Sequence, residues 1–314
     1  MDTNSSDVML PKITVLCPVF NEQSVIPLFF ARLIPVIGQL KPTYDVDVVF
    51  LNNASTDGTY EAIQTLRRGY DFVYVITLSR NVGYQCSLEC GLRNAKADII
   101  FFIDVDCEDP PEMLLEFVKQ HELGYDLVYG ERVDREEIKA LKMLRTLFYQ
   151  FVYRVADEEI ILYMAEFSLF TAEVRDAMVK DNNSFPFIRS SIARVGFRRV
   201  GIPYKRHRRI AGETHYNFFR MTVFAVAGIL SASTLPLRLP IYLLPFWLVL
   251  TGILGAGQIL TSNSWFLLVN VLAACTYIGA TIAFTSLYVA RAYKNGLARP
   301  NFVIHRRYTH MQPK

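Results

Sequence analysis

Over the first two-fifths of the chain, short apolar runs rich in β-branched residues alternate with stretches whose apolar positions recur every three or four residues. Runs 13–17, 46–51, 73–77, 99–103 and 127–129 predict strands, and stretches 24–40, 59–68, 84–95 and 111–123 predict helices. Such alternation predicts an α/β domain whose mostly parallel sheet is covered on both faces. Ligands gather at the carboxyl ends of the strands in sheets of this kind. No internal repeat or low-complexity tract interrupts the pattern.

The pattern changes towards the other end. Residues 241–290 contain no Asp, Glu, Lys or Arg. Segments 241–260 and 265–290 can each cross a hydrocarbon layer of roughly 30 Å as helices rising about 1.5 Å per residue. Thr261-Ser262-Asn263-Ser264 is a polar turn between them. Arg220 and Arg238 precede the hairpin, Arg291, Lys294, Arg299, Arg306 and Arg307 follow it, and the turn is uncharged. The positive-inside rule then places both flanks in the cytoplasm. A buried hairpin in a soluble protein is the competing reading. Residues 216–235, with Arg220 as their only charge and with Pro236 and Pro240 behind them, predict an amphipathic helix lying in the interface, although a core helix would carry a similar pattern. The expected organisation is a cytosolic domain over 1–215, an interfacial helix and linker over 216–239, two transmembrane helices over 240–290 and a basic cytosolic tail over 291–314.

Composition narrows the function. Apolar residues make up 52%, which excludes intrinsic disorder, and a net charge of +3 gives no electrostatic footprint for nucleic acid. Outside the uncharged stretch about a quarter of residues are charged, as in ordinary soluble domains. Five cysteines without a Cys-x-x-Cys pair or a nearby His pair argue against a disulfide framework or structural zinc. The first twenty residues show no signal-peptide pattern, so the soluble domain is expected in a reducing cytosol.

Polar residues cluster after the strands: Pro18-Val19-Phe20-Asn21-Glu22, then 52–58 with Asn53 and Asp57, then Ser79-Arg80-Asn81-Val82-Gly83, then 104–111. Each alone is ordinary turn chemistry, and Asp57 before Gly58-Thr59 suits a helix cap. Four on one sheet edge point to a site. Asp104 and Asp106, two positions apart in extended chain, point the same way, with Glu108 next if extension continues. Hard oxygens of this kind suit Mg²⁺ or Mn²⁺ bridging a diphosphate. An acidic helix N-terminus is the plainer explanation. There is no Gly-x-Gly-x-x-Gly and no Walker-type Gly-Lys-Ser/Thr motif.

Taken in order, Pro-Val-Phe-Asn-Glu, Asn-x-x-Ser-x-Asp-Gly, Arg-Asn-x-Gly and Asp-Val-Asp-x-x-Asp-Pro-Pro-Glu resemble the family 2 glycosyltransferases of GT-A fold. The nearest group within them is the polyprenyl-phosphate glycosyltransferases, such as bactoprenol glucosyltransferases and dolichol-phosphate mannose synthases. The resemblance runs from Lys12 to Ile304 and includes Arg209-Ile210-Ala211-Gly212-Glu213-Thr214-His215-Tyr216 and Pro236-Leu237-Arg238-Leu239. It implies a nucleoside pocket of Pro18, Phe20, Glu22, Asn53, Asp57 and Arg80. Asp104 would face the nucleotide and, with Asp106 and Glu108, form the metal site. Asp106, Glu166 and Arg209 would be catalytic, and Arg132, Arg209 and His215 would bind the acceptor phosphate.

The chain departs from the family pattern in four places: Asn53 and Glu108 stand for Asp and Gln, Thr214-His215 for Ser-Lys, and Ala165-Glu166-Phe167-Ser168-Leu169-Phe170 for Gly-Asp-Phe-Arg-Leu-Met. The implied activity is metal-dependent, inverting transfer of a hexose from a nucleotide sugar, UDP-glucose-like, to a polyprenyl phosphate such as undecaprenyl phosphate. The implied location is the cytoplasmic face of a bacterial inner membrane, with homo-oligomers left open and no nucleic-acid partner. A processive polysaccharide synthase would need a Gln-x-x-Arg-Trp motif, whereas Trp247 and Trp265 both lie in the apolar hairpin. A non-catalytic, membrane-anchored nucleotide-sugar-binding protein is the other alternative.

Overall fold

The computed structural model describes residues 10–133, 161, 164–181, 183–210 and 233–312. Strands β1 (Lys12–Val19), β2 (Asp45–Asn52), β3 (Val73–Thr77), β4 (Ile99–Phe102) and β5 (Leu127–Val133) alternate with helices α1 (Ile26–Leu40), α2 (Thr59–Gly69), α3 (Tyr84–Asn94) and α4 (Met113–Glu122). Each matches a predicted element to within a few residues. The pattern did not foretell β6 (Met164–Thr171), α5 (Ala172–Val179), α6 (Ile188–Arg194) and β7 (Arg199–Lys205).

The strands form one sheet in the order β3-β2-β1-β4-β6-β5-β7. β6 is antiparallel to both neighbours, and the other six strands run the same way. Period-two alternation sorts the core. Ile13, Val15 and Cys17 of β1 face Phe29 and Leu33 of α1, Ile63 of α2 and Phe117 of α4. Leu16, Ile100 and Phe102 face Leu88 of α3, Val174 of α5 and Ile192 of α6. Gly91 lets α3 press onto the sheet, since a Cβ there would lie 2.7 Å from Leu51 Cδ1.

Two long helices follow, α7 (Leu235–Thr261) and α8 (Ser264–Gly296). α7 starts ahead of the charge-free stretch, with Pro236 in its first turn, where a missing N–H costs nothing, and Pro240 inside it. Both helices are long and apolar enough to cross a membrane, and almost none of either is buried within the protein. Ile241, Phe246, Ile253, Leu260 and Trp265 are all exposed. A soluble core hairpin would bury them, so that reading fails. The interfacial helix expected over 216–235 lies almost wholly outside the described residues.

The segment after α8 returns to the sheet. His310 and Val75 exchange both backbone hydrogen bonds, and Ser79 N–H donates to Val303 O and His305 N–H to Thr77 O, so the tail lines edge strand β3. Farther on, the buried Gln312 amide donates to Thr14 Oγ1, Asp47 Oδ2 and Lys96 O, while Gln312 Oε1 accepts Lys96 N–H. Covering an otherwise open edge removes a template for strand pairing between molecules. The tail also puts both flanks of the hairpin on the same side, the side of the sheet domain.

Candidate active site

The site takes its position from strand direction. The parallel strands β1 to β4 deliver their following loops to one edge, and β7 delivers Arg206–Arg209 there too. β6 runs the other way, so its beginning, not its end, reaches that edge. Phe102 pairs with Ser168, which sets Glu166 beside the chain just past β4.

Every loop after the four parallel strands holds a left-handed residue: Asn21 (φ 56°), Ala54 (φ 56°), Gly83 (φ 85°) and Cys107 (φ 56°). Three of them have side chains, and strain of this kind persists where surroundings enforce it, commonly at functional sites. The enforcing bonds are visible. Asn21 Oδ1 accepts Thr56 N–H at 2.8 Å, and Ser55 Oγ accepts Asn21 N–H at 3.1 Å. Asp57 accepts from Gln23 N–H and Thr59 N–H, while Glu22 N–H donates to Thr59 Oγ1. The N-cap of α2 is Gly58, not Asp57; Asp57 stands one residue before it, bonds the N–H of the first helical residue, Thr59, and splices two loops together. Asn53 is buried and does the same for the next pair, accepting Val82 N–H at 2.9 Å and donating to Asn81 Oδ1 at 3.1 Å. Arg80 is exposed on that loop, and Pro18 and Phe20 are half-buried at the end of β1.

The acidic loop after β4 lies at the centre. Extension does not continue through it: Cys107 turns the backbone and Asp106 Oδ1 accepts Glu108 N–H, so the three carboxylates share a rim without forming a straight row. Asp104 accepts from the Tyr84 hydroxyl at 2.9 Å. Asp106 pairs with Arg209 at 3.1 Å, and Glu108 with Arg206 at 2.5 Å. Arg209 also lies 3.6 Å from Glu22. Backbone bonds from His207 N–H to Glu108 O and from Ile210 N–H to Asp106 O hold this basic segment against the acidic one. Asp109 is fully enclosed, bonded to Tyr204 and close to Arg132. Arg132 therefore sits on β5 with its side chain mostly buried, unlike a residue of an exposed charged turn.

The carboxyl groups of the site are shifted in opposite directions. Burial, then the charges of Asp106 and Asp109, raise the Asp104 carboxyl to about 8. Burial raises Glu108 and Glu22 as well, with Arg206 and Arg209 working against it at Glu108 and Arg209 at Glu22. Burial alone would raise Glu166 too, but the Arg189 guanidinium in contact with it holds its carboxyl below the ordinary range. Asp104 and Glu166 are thus pushed in opposite directions, a pattern of working sites. The rim oxygens of Asp104, Asp106 and Glu108 are hard donors suited to Mg²⁺ or Mn²⁺. Among the described residues no three His, Cys, Asp or Glu side chains converge on one point, so phosphate oxygens and water would complete any shell.

The structure thus gathers Glu22, Asp104, Asp106, Glu108, Arg132, Glu166 and Arg209, with Pro18, Phe20, Asn53, Asp57 and Arg80 on the adjoining loops. His215 lies outside the described residues. Sequence reasoning missed Tyr84, Arg189, Arg206 and Tyr204, which belong to no motif. A separate depression of about 520 Å³ opens near Lys12, Lys96, Asp98 and Arg175 and contains none of the expected site residues.

A model of the family described as Glycosyl transferase family 2 matches residues 14–182, more than half of the chain. The chain is 29% identical over 305 residues to the uncharacterized glycosyltransferase YkcC of Bacillus subtilis (strain 168), covering 94% of each. It is 29% identical over 306 residues to the prophage bactoprenol glucosyl transferase homolog of Escherichia coli (strain K12), covering 94% of this chain and 99% of that one. Among solved structures it is similar to the mannosyltransferase PcManGT from Pyrobaculum calidifontis, in complex with GDP-Man and Mn2+, at 20% identity and a TM-score of 0.46, covering 88% and 87% of the two chains. The mostly parallel sheet followed by two long apolar helices is the GT-A-like arrangement that the resemblance implied.

Proposed function

The chain belongs to glycosyltransferase family 2 and is a glycosyltransferase, and we propose that it moves a hexose from a nucleotide sugar, UDP-glucose-like, to a polyprenyl phosphate. The names of relatives called bactoprenol glucosyl transferases support this acceptor and this sugar. The observation that carries the reading is the meeting of Asp104, Asp106, Glu108, Glu166 and Arg209 at the strand ends of a domain fastened to two exposed apolar helices.

The nucleoside lies over the loops after β1, β2 and β3. Glu22 and Phe20 face it, while Asn53 and Asp57 act by fixing loop shape. A divalent cation held by Asp106 and Glu108, with Asp104 towards the nucleotide, would neutralise charge on the departing diphosphate. Burial first, and then the charges of Asp106 and Asp109, raise the Asp104 carboxyl, and a cation bound at this rim would relieve that cost. Arg209 and Arg206 leave these carboxylates when the donor binds and turn to its phosphate oxygens. Arg132 and Arg209, with His215, receive the acceptor phosphate. A phosphate oxygen attacks the anomeric carbon as the bond to the diphosphate oxygen breaks, which inverts configuration at that carbon. Phosphate monoesters are mostly dianionic at pH 7, with a second pKa near 6, so no strong base is required. When the acceptor arrives as a monoanion, its remaining P–OH donates to the ionised Glu166 carboxylate, which orients the phosphate through that bond and takes the proton as the oxygen attacks.

The acceptor's tail is confined to lipid, so the site must be kept at the interface. α7 and α8 do this, with the catalytic domain on the cytoplasmic face of a bacterial inner membrane. The deciding experiment is lipid-linked hexose formation by membranes containing Asp106→Ala, with a panel of nucleotide hexoses and undecaprenyl phosphate. Product is expected to fall to background, and an undiminished yield overturns the site.

A further inference from the structure

Two side chains from different helices hold the Glu166 carboxylate. Its carboxylate is buried. One oxygen accepts from Arg189 of α6, and the other accepts from Gln85 Nε2 of α3 at 3.2 Å. Gln85 is itself fixed, because its Oε1 accepts Ile188 N–H at 2.9 Å, the residue just before Arg189. Two helices thus grip one carboxylate and also each other. Ser168, where the resemblance expects an arginine, supplies no charge: it is fully buried and its hydroxyl donates to Glu166 O at 2.8 Å.

We propose that Arg189 is a positioning residue for the transfer reaction, replacing from α6 the cation missing at Ser168 and holding the Glu166 carboxylate aimed at the P–OH of a monoanionic acceptor phosphate. The proposal rests on the reading of Glu166 as catalytic. Charged and titratable groups meet here from every side: Asp104 after β4 and Tyr84 of α3 disfavour a second negative charge, Arg132 of β5 helps it, and Arg189 makes the direct contact. A carboxylate freed from this grip could both rotate and take up a proton. Either change removes it from a reaction whose geometry tolerates little displacement. A lysine at 189 would restore charge but not the planar donor fork.

The test uses the full-length protein in membranes, undecaprenyl phosphate as acceptor and the best donor from a nucleotide-hexose panel, with kcat and both KM values measured. Arg189→Met is expected to lower kcat by about 100-fold, the scale of a 1 Å misplacement, with KM for the donor nearly unchanged. Arg189→Lys is expected to recover much of that loss. In a Glu166→Gln background, Arg189→Met is expected to add little, since the group it positions is already disabled. An unchanged kcat in Arg189→Met, or an equal fall with and without the Glu166 carboxylate, overturns the proposal. Full activity of Glu166→Gln would instead overturn the catalytic reading of Glu166. Should Arg189→Met fail to fold, Gln85→Leu and Arg189→Lys decide: both are expected to lower kcat without affecting donor KM, and wild-type turnover in both overturns the proposal.

Discussion

Arg209 stands 3.1 Å from Asp106 and 3.6 Å from Glu22, so one guanidinium bridges the loops that follow β4 and β1. Its charge and a divalent cation compete for the same oxygens. Arg209→Met is therefore expected to tighten Mn²⁺ binding in the absence of nucleotide, measured by electron paramagnetic resonance titration. It is also expected to lower hexose transfer by about 100-fold, because a cation aimed at the reacting phosphates is lost. Unchanged binding and unchanged transfer together would remove Arg209 from the site.

The cysteines of α3 give a pH prediction. Burial, and then the Glu89 charge, push Cys86 up to about 11 and Cys90 up to about 12. A raised thiol pKa keeps the neutral form, and only the thiolate reacts. Alkylation of both at pH 8 is expected to be at least about 100-fold slower than for an ordinary thiol near 8.5, rising roughly tenfold per pH unit. Peptide mass spectrometry of the folded protein reads this directly, and rapid labelling at pH 8 would show that α3 does not pack as described.

Gln312 supplies the test of the tail. Gln312→Ala removes the acceptor from Lys96 N–H and donors from Asp47 and Thr14 in a buried setting. Leaving such groups unpaired costs about 1–3 kcal/mol, so the thermal midpoint in detergent is expected to fall by several degrees. An unaltered midpoint would mean that the tail does not dock on the sheet.

Topology is checked with thiol labels. In a Cys275→Ser background, Ser262→Cys is expected to react with a membrane-impermeant maleimide added to intact cells, and Arg307→Cys only after the cells are opened. The opposite result would reverse the cytoplasmic placement.

The first half of the sheet was legible because β1 to β4 each carry a dominantly apolar run, broken by Thr14 in β1 and Asp47 in β2, with a helical pattern behind it. β7 escaped notice because Arg199, Pro203 and Lys205 break its apolar pattern, and only Tyr204 of its seven residues is buried. The acidic rim was legible as a motif delivered by a buried strand. Its partners were not: Arg189 and Tyr84 reach their carboxylates through folding of distant segments, and no local spacing marks them. The one available signal for Arg189 was an absence, the uncharged Ser168 beside a buried acid. The tail read as a basic appendage because backbone pairing to β3 leaves no trace in side-chain pattern.

One short stretch of chain answers to two masters. Ser184 N–H donates to Asn295 Oδ1 at 3.0 Å and Ser184 Oγ to Lys294 O at 3.1 Å, and five residues later the same stretch presents Arg189. Long helices tilt to match the thickness of their bilayer, so the lean of α8 is expected to reach Arg189 through Ser184. Turnover in short-chain and long-chain nanodiscs is expected to differ while donor affinity stays constant, making the surrounding fat a silent participant in the chemistry.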